Sequence, residues 1–116
     1  MINEFRRAKR RKAPDTILVM DAMTERVVGR IGNLSETGML LLANEALVDD
    51  ALYQFRFALP TPEGADASVE VGAHLLWRDQ ASAPGQAWTG FRFIGMSEPQ
   101  VGRLRAWIEA PGSHYE

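Results

Sequence analysis

The chain has 116 residues, 46% of them hydrophobic and 24% charged, the size and balance of one globular domain and not of a disordered tail, a collagen or a coiled coil. It contains no cysteine, which excludes disulfides, thiolate metal sites and cysteine nucleophiles together. The net charge of −2 hides an asymmetry, because residues 1–12 hold six basic residues against Glu4, a net of +5 that leaves −7 for the remainder. A cationic arm on an acidic body attracts an anion at one end, whereas a uniformly basic protein coats nucleic acid over a broad face.

The first section, residues 1–12, reads as a flexible basic arm. No apolar stretch follows it as a secretory signal requires, and the longest apolar run, Met39 to Ala43, is far short of the roughly 20 residues of a membrane-spanning helix. A cytoplasmic protein without membrane insertion is expected. The second section, residues 13–110, is a folded body. Thr16–Ala22 and Arg26–Ile31 are β-branched runs around a short connection, which predicts a hairpin. Met39–Ala43 reads as a third strand.

Leu52–Leu59 alternates, sending Tyr53, Phe55, Phe57 and Leu59 to one face. Pro60 to Gly64 breaks the chain, since proline removes a ladder donor and glycine permits positive φ. Val69–Arg78 alternates again, with Val69, Val71, Ala73, Leu75 and Trp77 expected on one side. Ala87–Ile94 supplies the last strand. From Glu98 the period becomes helical, with Val101, Leu104, Trp107 and Ile108 on one face, Ser97 as the cap and Pro99 in the first turn. Pro111-Gly112 ends this helix, and residues 111–116 read as a polar tail. Six short, mainly antiparallel strands and one helix predict a mainly β fold: a small six-stranded antiparallel β-barrel with a C-terminal α-helix over an open end.

Two segments carry candidate chemistry. In the arm, Arg6/Arg10 and Arg7/Arg11 form overlapping Arg-x-x-x-Arg pairs, and arginines four apart lie on one side in a helix or a strand. A guanidinium fits phosphate oxygens or the guanine O6/N7 edge bidentately and stacks over a base; the bland alternative is a solvated charge run. The second segment is Asn33-Leu34-Ser35-Glu36-Thr37-Gly38. Extended backbone sends Asn33 and Ser35 to one side and Leu34 to the core. The amide and hydroxyl suit a base edge, and Gly38 suits a sharp turn and close approach of a ligand. Alone, this too is an ordinary polar turn.

Together, Arg7-x-x-x-Arg11 and Asn33-x-Ser35-x-x-Gly38, separated by one hairpin, resemble the signature of the PilZ domain, the bacterial receptor module for cyclic di-GMP. Arg6/Arg10 is an alternative register. The runs Ala73 to Arg78 and Gly90 to Ser97 look like that family's closing strands and approach to the helix, so the resemblance covers roughly residues 6–109. It implies that Arg7 and Arg11, with Arg6 and Arg10 in reserve, hold phosphates and guanines, often of two stacked ligands. It also implies that Asn33 and Ser35 contact a guanine while Gly38 shapes the loop. Asn33 stands where Asp is commoner, which removes a charge-assisted acceptor.

The implied function is a non-enzymatic receptor whose arginine arm orders on binding cyclic di-GMP and signals, in motility or biofilm regulation, through a separate effector protein. The alternative is a PilZ-like interaction adaptor that binds no nucleotide. A third and weaker reading makes the arm a contact for nucleic acid or anionic lipid. Trp77 and Trp88 suit core or edge packing better than stacking on a guanine. His74 and His114, the only histidines, offer no metal ligand set, and His74 reads as an exposed or hydrogen-bonded strand residue. The scattered acids suggest no catalytic arrangement and no cofactor. No G-x-x-x-x-G-K-S/T loop occurs, so ATP and GTP are not expected ligands.

Overall fold

The computed structural model describes residues 8–14 and 16–116. Seven strands precede one helix: β1 (Arg11–Lys12), β2 (Leu18–Asp21), β3 (Arg26–Leu34), β4 (Gly38–Ala43), β5 (Leu52–Leu59), β6 (Ala67–Gln80), β7 (Ala87–Gly95) and α1 (Glu98–Ile108). Strands β2 to β7 pair antiparallel in the order β3-β2-β5-β6-β7-β4, and β4 returns to β3, so the six-stranded sheet closes into a barrel. Closure leaves the barrel without free edges. The expected six strands and C-terminal helix are all present.

The seventh strand, β1, comes from residues assigned above to the arm. Arg11 pairs with Leu34 and Lys12 with Asn33, both of which pair on their other side with β4. Thus β1 continues the edge of β3 that β2 uses nearer the hairpin. The tail is not a loose polar end either. Tyr115 bridges Arg11, the Lys12 amide donates to the His114 carbonyl over 2.8 Å, and the Glu116 amide donates to the Arg10 carbonyl over 3.0 Å.

The core follows the alternation. Val19, Phe55, Phe57, Leu59, Val69, Val71, Ala73, Leu75 and Phe91 are buried inside, and α1 adds Leu104, Trp107 and Ile108 to the same cluster. Phe55 stacks on Tyr53 and meets Phe91 edge to face at 5.0 Å, the arrangement that aromatic quadrupoles favour. At the start of α1, Ser97 occupies the cap position but makes no side-chain capping bond; its carbonyl takes the Gln100 and Val101 amides. Pro99 in the first turn has no amide to satisfy there.

Two of the four register shifts between the paired strands decide which side chains of β3 and β6 face outward here. Directly opposed residues of an antiparallel pair share a face. Ile31 opposes the core residue Leu41 and Leu34 opposes the core residue Met39, but between them Asn33 opposes Leu40, because the pairing skips Gly32. Strict alternation would put Asn33 on the inner side with Ile31; the bulge resets it outward and returns Leu34 to the core. On β6, Leu75 opposes Phe91 and Trp77 opposes Gly90, with Leu76 the extra residue. The expectation that Trp77 shares the inner face with Leu75 is therefore corrected: the second bulge turns it out, where it is 46% exposed.

Candidate functional site

Residues Arg10, Asn33, Leu40, Leu76, Trp77, Gly90 and Glu116 meet around a shallow depression of about 360 Å³ on the outside of the barrel. Strand β3 supplies the amide: Asn33 is 3% exposed and its Oδ1 accepts a 2.8 Å hydrogen bond from the Arg10 guanidinium. Arg10 precedes β1 and lies two residues from Lys12, which pairs with Asn33, so the strand period sends Arg10 to the Asn33 side. An arginine held by one bond to a neutral amide keeps most of its five donors for an anion or a base edge.

The neighbouring Arg11 goes the other way. Its guanidinium donates a 2.8 Å hydrogen bond to the Trp107 carbonyl of α1 and lies over the Trp107 ring, 4.2 Å from the centroid. Its Nε is buried without a partner among the described residues. The structure thus separates Arg10, beside Asn33, from Arg11, under the helix. Arg6 and Arg7, also singled out in the sequence, lie outside the described residues.

The turn after β3 uses its own polar groups. The fully buried Ser35 hydroxyl accepts the Thr37 and Gly38 amides over 3.1 and 3.2 Å and lies 3.3 Å from the Gly38 carbonyl, to which it donates. Such a hydroxyl closes the turn as a backbone group would. The Ser35 hydroxyl is thus engaged by the backbone of its own turn. Gly38 is needed because a Cβ there would collide with the Phe91 carbonyl of β7; the close approach it permits is between strands. Glu36 receives a bidentate pair from Arg105 of α1, at 2.9 and 3.1 Å. Those bonds hold its carboxyl below the usual glutamate range, against a smaller opposing effect of burial.

Trp77 is the site residue that alternation misplaced. Its indole lies across the space where a Cβ on Gly90 would sit, so glycine at that position lets the ring lie flat on β7. Trp88 packs instead over Gly32 beside Leu40, where a Cβ would stand 3.1 Å from the indole and 3.3 Å from the leucine. A bulge leaves no mark in local periodicity, so the position of Trp77 opposite Gly90 emerges only from the pairing of β6 with β7. His74 is hydrogen-bonded to Asp50 at 2.6 Å on the outside of β6. Among the described residues no group of three or more His, Asp or Glu side chains is placed to hold a metal ion, and no helix is long and apolar enough to cross a membrane.

A sequence profile of the PilZ domain matches residues 4–110, nearly the whole chain. The chain belongs to the PilZ domain family. This PilZ domain shares its fold with the Bacillus subtilis inhibitor of motility MotI/DgrA, at a TM-score of 0.71 and 14% identity, over 90% of this chain and 49% of that one. It is similar to the PilZ domain of Escherichia coli YcgR with c-di-GMP, at a TM-score of 0.59 and 18% identity over 86% of each chain. It is likewise similar to Escherichia coli YcgR in complex with c-di-GMP, at 0.67 and 20% over 89% of this chain and 44% of that one. The PilZ chain spans about half the length of MotI/DgrA and less than half of that YcgR. No curated protein matches it significantly in sequence.

Proposed function

We propose that this PilZ domain is a non-enzymatic receptor that binds cyclic di-GMP over the Arg10–Asn33–Trp77 depression and passes the signal to a separate effector protein. The observation that carries the reading is the 2.8 Å bond from Arg10 to Asn33: it joins the arginine motif to the polar motif on one outward face. Cyclic di-GMP presents two phosphates and two guanines, and it calls for clustered positive charge, bidentate donors and a flat apolar platform. Arg10 supplies the first two, Asn33 a base-edge donor and acceptor, and Trp77 the platform. Structures of YcgR with c-di-GMP share this fold, and a link to motility follows from the same similarities.

Within this reading the register is Arg6/Arg10, since Arg11 is engaged with Trp107. Ser35 and Gly38 shape the turn and position Asn33. Arg7 lies on the Arg11 side of the four-residue spacing and is assigned the lesser part. The arm ahead of β1, carrying Arg6, orders over the bound ligand, and the arm's posture is what the effector reads. A ligand biases such an equilibrium only by its preference for one posture.

Parallel titrations of the whole chain with cyclic di-GMP, GTP and duplex DNA test this. Binding of cyclic di-GMP alone, lost in a chain lacking residues 1–12, supports the receptor. No binding of any of the three leaves the nucleotide-free adaptor, and preferential binding of DNA points to the arm as a nucleic-acid contact.

A further inference from the structure

Glu116 borders the depression, and the receptor reading leaves residues 113–115 without a task, yet the whole segment makes an ordered set of bonds. Tyr115 bridges Arg11 in antiparallel fashion. The Lys12 amide donates to the His114 carbonyl at 2.8 Å and the Glu116 amide to the Arg10 carbonyl at 3.0 Å. The Tyr115 hydroxyl donates to the Ile108 carbonyl at the end of α1, over 2.7 Å. On its open side the Tyr115 ring carries the Lys9 ammonium, 5.4 Å from its centroid. Strand β1 is only two residues long, and this segment pairs with the edge that β3 leaves free.

We propose that residues His114 to Glu116 are a strap that pre-positions Arg10 for the nucleotide, with Tyr115 as the positioning residue that fastens the strap to α1. Both strap bonds go to backbone atoms at Arg10 and Lys12, so they fix the extended backbone that aims Arg10 at Asn33 while leaving its guanidinium available. A two-residue strand bonded on one side only frays readily, and a loose Arg10 must be ordered again on each binding event. Holding a binding residue in its bound geometry raises affinity by removing that cost. The Tyr115 hydroxyl makes the strap depend on α1, so the helix end and the ligand site share one fastening.

This assignment rests on the receptor reading, and its test separates the two. The alternate amides of the arm are built-in reporters: Lys12 donates to the strap, whereas Ala13 donates to Gly32 of β3 at 3.0 Å. Amide hydrogen exchange and calorimetric titration with cyclic di-GMP are compared for the wild-type chain, Tyr115→Ala, Tyr115→Phe and Glu116→Pro, the last removing one strap donor and read against Glu116→Gln, which keeps the amide and neutralises the carboxylate that borders the depression. The expected result is faster exchange at Lys12 with Ala13 unchanged, and affinity about ten-fold lower in Tyr115→Ala and Glu116→Pro. Tyr115→Phe, which keeps the ring over Lys9, falls between. Unchanged affinity in both variants while Lys12 exchanges faster overturns the strap and leaves the receptor standing. An unchanged Lys12 rate overturns it as well. A wild-type chain that binds no cyclic di-GMP overturns the receptor reading, and the strap's role in it.

Discussion

Arg10 and Arg11 are adjacent in sequence and identical in chemistry, yet they serve opposite sides of one short strand. Arg10 lies on the outer face, bonded to an amide side chain beside a depression. Arg11 lies under α1, stacked on Trp107 and bonded to its carbonyl. The outer face spends its polar groups on an open surface; the helix side spends the same guanidinium on packing. Strand parity thus separates two adjacent arginines, setting Arg10 beside Asn33 on the outer face and Arg11 against the C-terminal helix.

Truncating each arginine in turn separates the two roles. Arg10→Ala lowers affinity for cyclic di-GMP by about 100-fold, the size of one or two charge-assisted hydrogen bonds, with little change in thermal stability. Arg11→Ala does the reverse: stability falls by about 1–2 kcal/mol from the lost bond and cation–π contact, and affinity changes only a few-fold. Calorimetric titration and thermal melts of both variants check this, and a result in which Arg11→Ala alone abolishes binding moves the grip to the other register.

Trp77→Ala sharpens the outer-face half. It weakens binding about ten-fold, within the range of one base–aromatic stack, while the half-exposed position keeps the melting temperature near that of the wild type. Gly90→Ala tests the same platform from beneath, because the added methyl collides with the indole; a matching loss of affinity is expected, and wild-type affinity in both variants removes the platform from the site. Salt gives a smaller graded effect. Arg–phosphate attraction is screened over about 8–10 Å at physiological ionic strength, so affinity measured by titration falls several-fold between dilute and concentrated NaCl, whereas the Arg11 contact with the helix is barely affected.

The smallest effect concerns the other link between site and helix, Glu36 with Arg105. The Glu36 carboxyl titrates below its ordinary range in the folded chain. Its stabilisation is therefore complete above that ordinary range and is lost as pH falls through the lowered value. The side chains are 35% and 53% exposed, so solvent and salt screen the pair and keep its contribution small. Glu36→Gln should be less stable than the wild type near neutral pH, and denaturant melts of the two should converge as pH falls below the ordinary glutamate range and through the lowered value. A constant difference across that range removes the ion pair as its cause.

Much of this molecule was legible in the chain. The alternation of Leu52–Leu59 matches β5 residue for residue, the hairpin and the helical face of α1 fall where period and turn chemistry put them, and the two motifs named the family before the fold was known. These are local properties: side-chain period, β-branched runs, proline and glycine breaks, and the spacing of functional groups along one segment. Tertiary structure decided what depends on a partner strand. The bulges at Gly32 and Leu76 exist only relative to β4 and β7, and each inverts the face of every residue beyond it. The sequence could present Arg10, Asn33 and Trp77 as candidates, but only the closed barrel brought the three to one surface and sent Arg11 to the helix. A one-residue offset between neighbouring strands is invisible to either strand alone.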